Sequence, residues 1–437
     1  MAGSDLRFAF YGDDFTGATD TLATLASAGL KTVLFMGPPT PAQLACAGLL
    51  DCLGIAGASR SMGAAEQEAE LEPVGRFFAG LGAPVIHYKT CSTFDSSPDI
   101  GSIGVALRSL RRRLDVSSFV PIVGGQPSLG RYCVFGNLFA AFQSGGEVYR
   151  LDRHPTMSRH PVTPMHEADL RLHLARQGLP RLGLIPYPSY DLPAQAFDRI
   201  LDDEAAAQPD GVLFDVAQAG QLASVGRAIW RRAAGRTVLA AGPSSVAQAL
   251  IAHWRASGET DTSSRARPAA LPAATTPVFV FSGSRSPLTA RQIQAANSYE
   301  RIPLSPRILM RGEGDGAALA RIASALSGGA NVLAYLTDEA SEAVTSAADL
   351  AKACAAFIAR VLEAGRPRRV GVAGGDTSSY AVKALDGWGL SYLGQLDPGV
   401  ALCRVHADDP GLDGVEIMLK GGQMGSPSIF EKLLAPG

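Results

Sequence analysis

A strand, a helix and a second strand follow one another within residues 6–36, and this order constrains the fold more than any other feature of the chain. Residues 6–11 and 32–36 are short apolar runs, and residues 16–28 carry apolar side chains at helical spacing. Gly29 stands where a helix C-cap is expected, and the short connections favour a parallel, right-handed crossover. We therefore predict a βαβ unit whose first strand is central in its sheet.

Strands and helices continue to alternate along both halves of the chain, which predicts the α/β class. The further strand candidates are 85–88, 211–215, 237–240, 277–281, 331–336, 369–373 and 415–419, and helical patterning fills 350–364. Residues 257–276 are polar and rich in Pro and Ala, and we interpret them as a linker between domains 1–256 and 277–437. We expect a mostly parallel sheet flanked by helices in each domain and an active site in the interdomain cleft.

The composition indicates an enzyme-like globular protein that acts on small molecules. Of the 437 residues, 46% are hydrophobic and 18% are charged, unlike a disordered chain. The 39 basic and 41 acidic residues give a net charge of -2, which supplies no basic field for nucleic acid or a membrane surface. No apolar run approaches the roughly 18 to 20 residues of a membrane helix. We expect a small-molecule substrate, no nucleic-acid or membrane partner, and a chain compatible with a homo-oligomer.

The cysteines and the N-terminus both favour a cytoplasmic location. The six cysteines are scattered without a CxxC pair, in a chain long enough to fold without disulfides. Residues 1–7 pass straight into the first strand without the pattern of a secretion signal. We therefore expect a protein of the reducing cytoplasm.

Two adjacent carboxylates, Asp13 and Asp14, follow the first strand at the entry to its helix. Ligands of open α/β sheets bind at this edge, and neighbouring carboxylates need a cation, a hydroxyl donor or helix N–H groups to stabilise them. A catalytic pair is one interpretation. The alternative is that one Asp caps the helix and the other is solvated, because Asp is a favoured N-cap residue.

Glycine-rich loops follow three strands of the second half, at Ser282–Ser284, Gly374–Thr377 and Gly421–Gly425. Glycine lets the backbone approach an anion closely, and a helix N-terminus adds N–H groups and a favourable dipole. These loops could therefore line one phosphate-binding crevice, although a plain capped turn has the same appearance. Lys420 is open to two interpretations, a phosphate ligand or an ordinary surface residue. Neither a Walker A loop nor a GxGxxG fingerprint is present in a suitable context.

Two further segments carry polar and basic side chains. Residues 87–97 place Lys89, Cys91 and Ser92 after a strand, where Lys89 could hold a carboxylate or a phosphoryl group. Residues 150–169 concentrate Arg and His between prolines, which predicts a loop. That loop either receives an anionic substrate or is a solvated basic surface, and its His spacing does not match a zinc helix.

Taken together and in order, these motifs resemble the four-carbon acid sugar kinase family, whose members phosphorylate tetronates and related sugar acids with ATP. The resemblance spans nearly the whole chain and is carried by residues 13–18, 374–378, 396–400, 419–422 and Gly425. It implies an N-terminal substrate-binding domain, a C-terminal nucleotide-binding domain, and ATP with Mg²⁺ as cofactors.

The resemblance also implies roles for individual residues. The implied ATP-binding residues are Ser282, Ser284, Gly374, Gly375, Asp376, Thr377, Gly422 and Gly425. The implied catalytic residues are Asp13, Asp14 and Lys89, and the implied substrate contacts are Thr16, Arg60 and Ser92. The protein ligands of the metal remain unknown, and either Asp could be the base.

The substrate half departs from the usual family pattern, whereas the nucleotide half keeps its loops. A Lys-x-Asp-Ser-Thr-Leu-Arg-Gly run is usual, but residues 89–96 read KTCSTFDS, without that acidic residue and without that Arg. We therefore expect a sugar-acid kinase that acts on a primary hydroxyl of a tetronate, a 3-oxo-tetronate or a branched acid such as 3-oxo-isoapionate. The rival interpretations are a nicotinamide-dependent sugar-acid dehydrogenase and a non-catalytic sugar-acid sensor.

Overall fold

The computed structural model describes residues 6–142, 145–259, 271–312, 314–337 and 347–435. The chain divides into two compact units, Met1–Ala266 and Arg267–Gly437. Most of the predicted linker, residues 260–270, lies outside the described residues. Of the described helices, none is long and apolar enough to cross a bilayer.

The first unit is built on a sheet of eight parallel strands in the order β2-β3-β1-β4-β11-β5-β10-β9. These strands are β1 (Phe8–Gly12), β2 (Thr32–Phe35), β3 (Cys52–Ala56), β4 (Val85–Lys89), β5 (Pro121–Gly124), β9 (Leu182–Ile185), β10 (Gly211–Asp215) and β11 (Val238–Gly242). A smaller antiparallel sheet has the order β6 (Arg131–Val134), β7 (Asn137–Ala141) and β8 (Val148–Arg150).

Helices of the first unit connect the parallel strands. They are α1 (Phe15–Ser27), α2 (Pro41–Ala47), α3 (Ala64–Ala79), α4 (Ile103–Arg111), α5 (Leu170–Ala175), α6 (Ala194–Ala206), α7 (Leu222–Ala233) and α8 (Ser245–Ala256). The predicted N-terminal βαβ unit is confirmed, and β1 lies inside the sheet between β3 and β4. All five residues of β1 are buried, as expected of a parallel strand covered on both faces.

The second unit contains a mixed sheet in the order β13-β14-β12-β15-β18-β17-β16. Its strands are β12 (Val278–Ser282), β13 (Glu300–Leu304), β14 (Val332–Leu336), β15 (Arg369–Ala373), β16 (Gly387–Asp397), β17 (Val400–Ala407) and β18 (Glu416–Lys420). Strands β12 to β15 and β18 are parallel, whereas β17 is antiparallel to both of its neighbours β16 and β18. The α/β class with mostly parallel sheets is confirmed in both units.

Helices of the second unit surround this sheet, and a buried apolar cluster lies beside it. The helices are α9 (Pro287–Ala295), α10 (Pro306–Arg311), α11 (Gly316–Ser327), α12 (Ala347–Gly365), α13 (Gly375–Ala384) and α14 (Ile429–Leu434). The cluster joins β12, β14, β17 and β18 to α14 through Val280, Leu333, Leu402, Met418 and Phe430. This packing fixes the strand ends from which the glycine-rich loops leave.

Candidate active site

Asp14 is the N-cap of α1, at the edge of the first sheet. Its backbone is extended, with φ -144° and ψ 157°, and its side chain accepts hydrogen bonds from the Gly17 amide at 3.1 Å and from Thr16 Oγ1 at 2.6 Å. Capping alone does not describe the doublet, because Asp13 is only 3% exposed and is not a solvated surface residue. The structure therefore makes Asp14 the helix cap and buries Asp13 beside it.

One guanidinium joins the two carboxylates. Arg60 Nη2 lies 2.7 Å from Asp13 Oδ1 and 2.6 Å from Asp14 Oδ1, and Arg60 Nε donates to Asp13 Oδ2 at 3.2 Å. The Arg60 backbone amide also donates to the Asp13 carbonyl at 3.1 Å, which fixes the turn after β3 against the end of β1. The shared positive charge of the guanidinium stabilises two neighbouring carboxylates that would otherwise repel each other.

Lys89 reaches the same cluster from the end of β4. Its Nζ lies 4.0 Å from Asp14 Oδ1, and its side chain is 4% exposed. A Cβ on Gly17 would meet Lys89 Nζ at 2.0 Å and Asp14 Oδ1 at 2.4 Å, so only glycine leaves room for this approach. The sequence-predicted residues Asp13, Asp14, Thr16, Arg60 and Lys89 are thus brought together, and we call these five side chains the acidic-doublet cluster.

The two carboxylates of the cluster differ in proton affinity. Burial raises the pKa of Asp13, and the nearby negative charge of Asp14 raises it further. The positive charges of Arg60 and Lys89 lower it, but they do not outweigh burial. Burial also acts on Asp14, but Arg60, Lys89 and the hydrogen bonds from Thr16 and Gly17 outweigh it and lower its pKa. Two carboxyl groups whose pKa values are driven apart can take different roles in acid and base chemistry.

Ser92 lies in the loop after β4, half-buried and next to Cys91. Cys91 Sγ is 3.1 Å from Thr93 Oγ1, and Thr93 Oγ1 donates to Asp95 Oδ1 at 2.7 Å. Burial raises the pKa of the Cys91 thiol, which disfavours a thiolate nucleophile there. The loop therefore follows the strand that ends at Lys89, and its cysteine is not a reactive thiolate.

The loop at residues 150–169 uses its polar side chains internally. Arg150 pairs with Asp152, and His154 Nδ1 accepts from the Met157 amide at 3.2 Å. His160 Nδ1 accepts from the Thr163 amide at 3.1 Å in a second turn of the same kind. The predicted loop is confirmed, and both of these histidines stabilise turns within it.

In the second unit, β12, β15 and β18 are neighbours, so the three predicted glycine-rich loops leave adjacent strand ends. The amides of Gly283 and Ser284 both donate to the Ala373 carbonyl, at 2.9 and 3.1 Å, and the Gly374 amide donates to the Lys420 carbonyl at 2.9 Å. The prediction that these loops lie together is therefore correct. We call them the three-loop cluster.

Close contacts in this cluster require glycine. A Cβ on Gly283 would meet Thr377 Oγ1 at 2.2 Å, and one on Gly422 would meet Ser284 Oγ at 2.5 Å. Gly374 has φ 129°, a conformation that side chains rarely adopt, and it caps α13. Gly375 opens that helix, whose first turn leaves N–H groups without intrahelical partners. The side chain of Asp376 lies outside the described residues.

The third loop is held by side chains that the sequence analysis did not single out. Ser286 Oγ and Thr289 Oγ1 donate to the Gly422 carbonyl at 2.5 and 2.9 Å, and Thr289 Oγ1 also lies 3.1 Å from Ser284 Oγ. Ser286 caps α9, and the pattern Ser-Pro at a helix start could have identified it. The Ser282 hydroxyl is buried and has no hydrogen-bond partner among the described residues.

Asp397 anchors the loop end near Gly425. It accepts from the Ser426 amide at 2.8 Å and from Ser426 Oγ at 2.6 Å, and it pairs with Lys432. Gly425 has φ 84° in the left-handed region that glycine favours. Within the motif at residues 396–400, Asp397 thus holds the end of the third glycine-rich loop in place.

Lys420 is buried below the three-loop cluster. Its side chain is fully buried, its Nζ lies 3.5 Å from Thr289 Oγ1, and it has no carboxylate partner among the described residues. Burial lowers the pKa of Lys420 to about 8. The surface interpretation of Lys420 is therefore wrong, because this strand-end lysine is enclosed by packing against Phe430 and the loops.

The described residues contain no group of three or more His, Cys, Asp or Glu side chains placed to hold a metal ion. A magnesium ion carried by a nucleotide is commonly held by phosphate oxygens, waters and one or two carboxylates. The carboxylates of the acidic-doublet cluster are already engaged by Arg60 and Lys89. This donor set does not form a resident metal site.

Family models match both units. A sugar-binding N-terminal domain matches residues 8–250, and a nucleotide-binding C-terminal domain matches residues 279–430. The chain is 42% identical to the 3-oxo-isoapionate kinase of Paraburkholderia graminis, over 97% of this chain and 93% of that protein. It is 32% identical to the 3-oxo-tetronate kinase of Cupriavidus necator, over 97% and 95% of the two chains.

A solved structure from Salmonella typhimurium LT2 has the same fold, with a TM-score of 0.79 over 98% of both chains and 24% identity. At this identity the likeness concerns the fold alone. The sequence likeness to the kinases covers both units and therefore includes both the acidic-doublet cluster and the three-loop cluster.

Proposed function

The chain belongs to the four-carbon acid sugar kinase family, and we propose that it transfers the γ-phosphoryl group of ATP to a primary hydroxyl of 3-oxo-isoapionate or a closely similar branched 3-oxo sugar acid. The protein is an ATP-dependent sugar-acid kinase, because it is similar in sequence to such kinases over nearly its whole length. The choice of a branched substrate over a straight-chain one is the more specific part of the proposal. It is supported by 42% identity to a 3-oxo-isoapionate kinase against 32% to a 3-oxo-tetronate kinase.

The three-loop cluster is the observation that carries nucleotide binding. Adjacent parallel strands deliver Ser282, Gly374 and Gly422 to one edge of the sheet, where Gly374 and Gly375 begin α13. Backbone amides and a helix N-terminus stabilise phosphate without a bulky side chain between them. We assign Ser282, Ser284, Gly374, Gly375, Asp376, Thr377, Gly422 and Gly425 to this role.

We assign the acceptor hydroxyl to the acidic-doublet cluster, with Asp13 as the base. The Asp14 carboxylate accepts from Thr16, Gly17 and Arg60, whereas among the described residues only Arg60 donates to the Asp13 carboxylate. Asp13 therefore keeps more unfilled acceptor positions, and its raised pKa brings it closer to that of a useful base. In this assignment Asp13 takes the hydroxyl proton as the hydroxyl oxygen attacks the γ-phosphorus and ADP leaves.

Lys89 and Arg60 would stabilise the cluster in the same reaction. Their positive charges hold Asp14 ionised, in agreement with its lowered pKa. Ser92 and Thr16 supply further hydroxyl groups for the sugar acid. ATP would bring Mg²⁺ on its phosphates, and no step is assigned to the metal because no resident donor set is present among the described residues.

We also propose a cytoplasmic location, where ATP is available. All six cysteines are free thiols, and Cys52, Cys133, Cys354 and Cys403 are buried. Free buried thiols are typical of a reducing compartment.

A substrate panel tests the proposal. Purified protein would be incubated with ATP and with 3-oxo-isoapionate, a 3-oxo-tetronate, a plain tetronate or no acid, and ADP release would be followed. We expect the highest kcat/KM with the branched 3-oxo acid. Equal or higher kcat/KM with the 3-oxo-tetronate would reject the branched substrate but keep the kinase, and no acid-dependent ADP release would reject both.

A further inference from the structure

The acidic-doublet cluster has no positive charge to spare for a substrate carboxylate. Asp13 and Asp14 carry two negative charges, and Arg60 and Lys89 carry two positive charges within 4.0 Å of them. An acidic substrate that entered beside this balanced set would bring an uncompensated negative charge. A further cation is therefore needed, and it should lie on the same sheet edge.

Arg131 is the cation that meets this requirement. It begins β6, directly after the turn that follows β5, and its backbone pairs with Gln126 through bonds of 2.8 and 3.2 Å. In the sheet, β5 is separated from β4 only by β11. The turn that carries Arg131 and the loop that carries Cys91 and Asp95 thus leave the same edge of the sheet.

The guanidinium of Arg131 is largely unused. Its Nε is buried and has no hydrogen-bond partner among the described residues, and its Nη1 donates to the Leu129 carbonyl. It forms no ion pair with any described carboxylate, whereas Arg60, Arg150 and Arg171 each do. A guanidinium has five N–H donors, and a buried donor without a hydrogen-bond partner, such as Arg131 Nε, is rare in proteins.

Arg131 lies within electrostatic range of the loop that carries Cys91 and Asp95. Burial lowers the pKa of Arg131, and Cys91 and Asp95 act on it in the opposite direction. Cys91 in turn is within electrostatic range of Arg60 and Lys89. Arg131 and the acidic-doublet cluster are therefore both within electrostatic range of the Cys91 loop, and an anion bound to Arg131 would relieve the desolvation of its charge.

We propose that Arg131 binds the carboxylate of the sugar-acid substrate and so selects acids over neutral sugars. Planar guanidinium groups hold carboxylates at two points, which Lys cannot reproduce. The inference rests on the proposed function, since it names the residue that receives the acidic group of the same substrate. Arg60, which the resemblance implies as a substrate contact, is already engaged by both aspartates.

Binding measurements without nucleotide test this inference. Calorimetry on the full chain would give the Kd of 3-oxo-isoapionate and of its uncharged methyl ester, for the unaltered protein and for Arg131→Gln. We expect the acid to bind about 100-fold more weakly to the variant, because charged hydrogen bonds are lost, while the Kd of the ester changes by less than about threefold. The matched control is Arg112→Gln, which removes an exposed arginine paired with Glu68 and should leave both Kd values unchanged.

Three outcomes would overturn the role of Arg131: an unchanged Kd of the acid, an equal loss for acid and ester, or a loss of the same size in the control. Should Arg131→Gln fail to fold by circular dichroism, Arg131→Lys decides, since it keeps the charge and removes the fork. That variant should bind the acid at least about 10-fold more weakly with the ester unaffected, and full acid affinity would reject the proposal.

The same data separate this inference from the kinase proposal. Acid binding that depends on Arg131 without any ADP release would reject the proposed reaction and keep the carboxylate site. ADP release that is indifferent to Arg131 would keep the reaction and reject the site.

Discussion

Arg60 and Asp13 form a two-point ion pair in the first unit, with Nη2 2.7 Å from Oδ1 and Nε 3.2 Å from Oδ2. The Asp13 side chain is 4% exposed and that of Arg60 is 23% exposed, so water screens this pair far less than a surface pair. The pair is the reason that two adjacent carboxylates can be held at a strand end.

Removing Arg60 should destabilise the fold. Arg60→Gln leaves Asp13 and Asp14 without their shared cation, and we expect the free energy of unfolding to fall by about 3 to 5 kcal/mol. Urea denaturation followed by circular dichroism would measure it. The control Arg112→Gln breaks only an exposed pair with Glu68 and should cost about 1 kcal/mol or less. Equal effects of the two substitutions would show that the cluster is not held by Arg60.

Asp13 and Asp14 should differ when each is replaced by Asn. Asp13→Asn should lower kcat by about 100-fold or more, the usual contribution of a general base, with the KM for ATP unchanged. Asp14→Asn should have the smaller effect on kcat, because Asp14 is not the base and Asn caps a helix about as well as Asp. The reverse ranking of the two kcat values would assign the base to Asp14.

The pH profile provides a second readout of the same assignment. Asp13 must be ionised to accept a proton, and burial raises its pKa, so kcat/KM should fall as the pH falls through a value above the ordinary range of an aspartate. Asp13→Asn should remove this acid limb. An unchanged limb in that variant would mean that another group titrates.

Because of Lys420, the affinity for ATP should change with pH in the alkaline range. Burial lowers its pKa to about 8, so it is charged below that pH and loses its charge above it. Because a positive charge below the three-loop cluster favours phosphates, the KM for ATP should rise as the pH rises through about 8. Lys420→Met should raise this KM at pH 7 and flatten its pH dependence. A KM that rises equally steeply in Lys420→Met would exclude this lysine.

Gly375→Val should separate nucleotide binding from folding. A Cβ at Gly375 would meet no atom within 4 Å, so the fold should tolerate the substitution, whereas the larger side chain would occupy the space in which backbone amides approach phosphate. We expect ATP affinity to fall by about 100-fold or more by calorimetry with little change in Tm. Gly316→Val is the control, since Gly316 opens α11 and a Cβ there also meets no atom within 4 Å. Equal ATP affinity in both variants would argue against the loop assignment.

Local sequence patterns were sufficient to predict the strands and the places where loops leave them. The five residues of β1 are apolar and buried on both faces, and α1 has an aspartate cap before it and Gly29 at φ 84° after it. Helix α1 begins at Phe15, one residue before the predicted start, because Asp14 rather than Phe15 is the cap. Such signals act within a few residues and can be read from one sequence.

Contacts between distant segments could not be predicted in the same way. Lys89 reaches Asp14 only because β1 and β4 are neighbours in the sheet, a pairing that depends on the whole topology. Lys420 also gave no sign of its burial, since the enclosing Thr289 and Phe430 come from other elements. Arg131 was missed for the same reason, because its lack of an ionic partner is visible only once the fold has placed the acidic residues.

The most direct test of the central claim is to identify the phosphorylated product. Purified protein would be incubated with ATP and 3-oxo-isoapionate, and the mixture would be analysed by ³¹P NMR and mass spectrometry. We predict a phosphate monoester of the sugar acid, formed in equal amount to ADP and absent when Asp13→Asn replaces the unaltered protein. ADP formed with inorganic phosphate alone, or no consumption of ATP, would contradict the account.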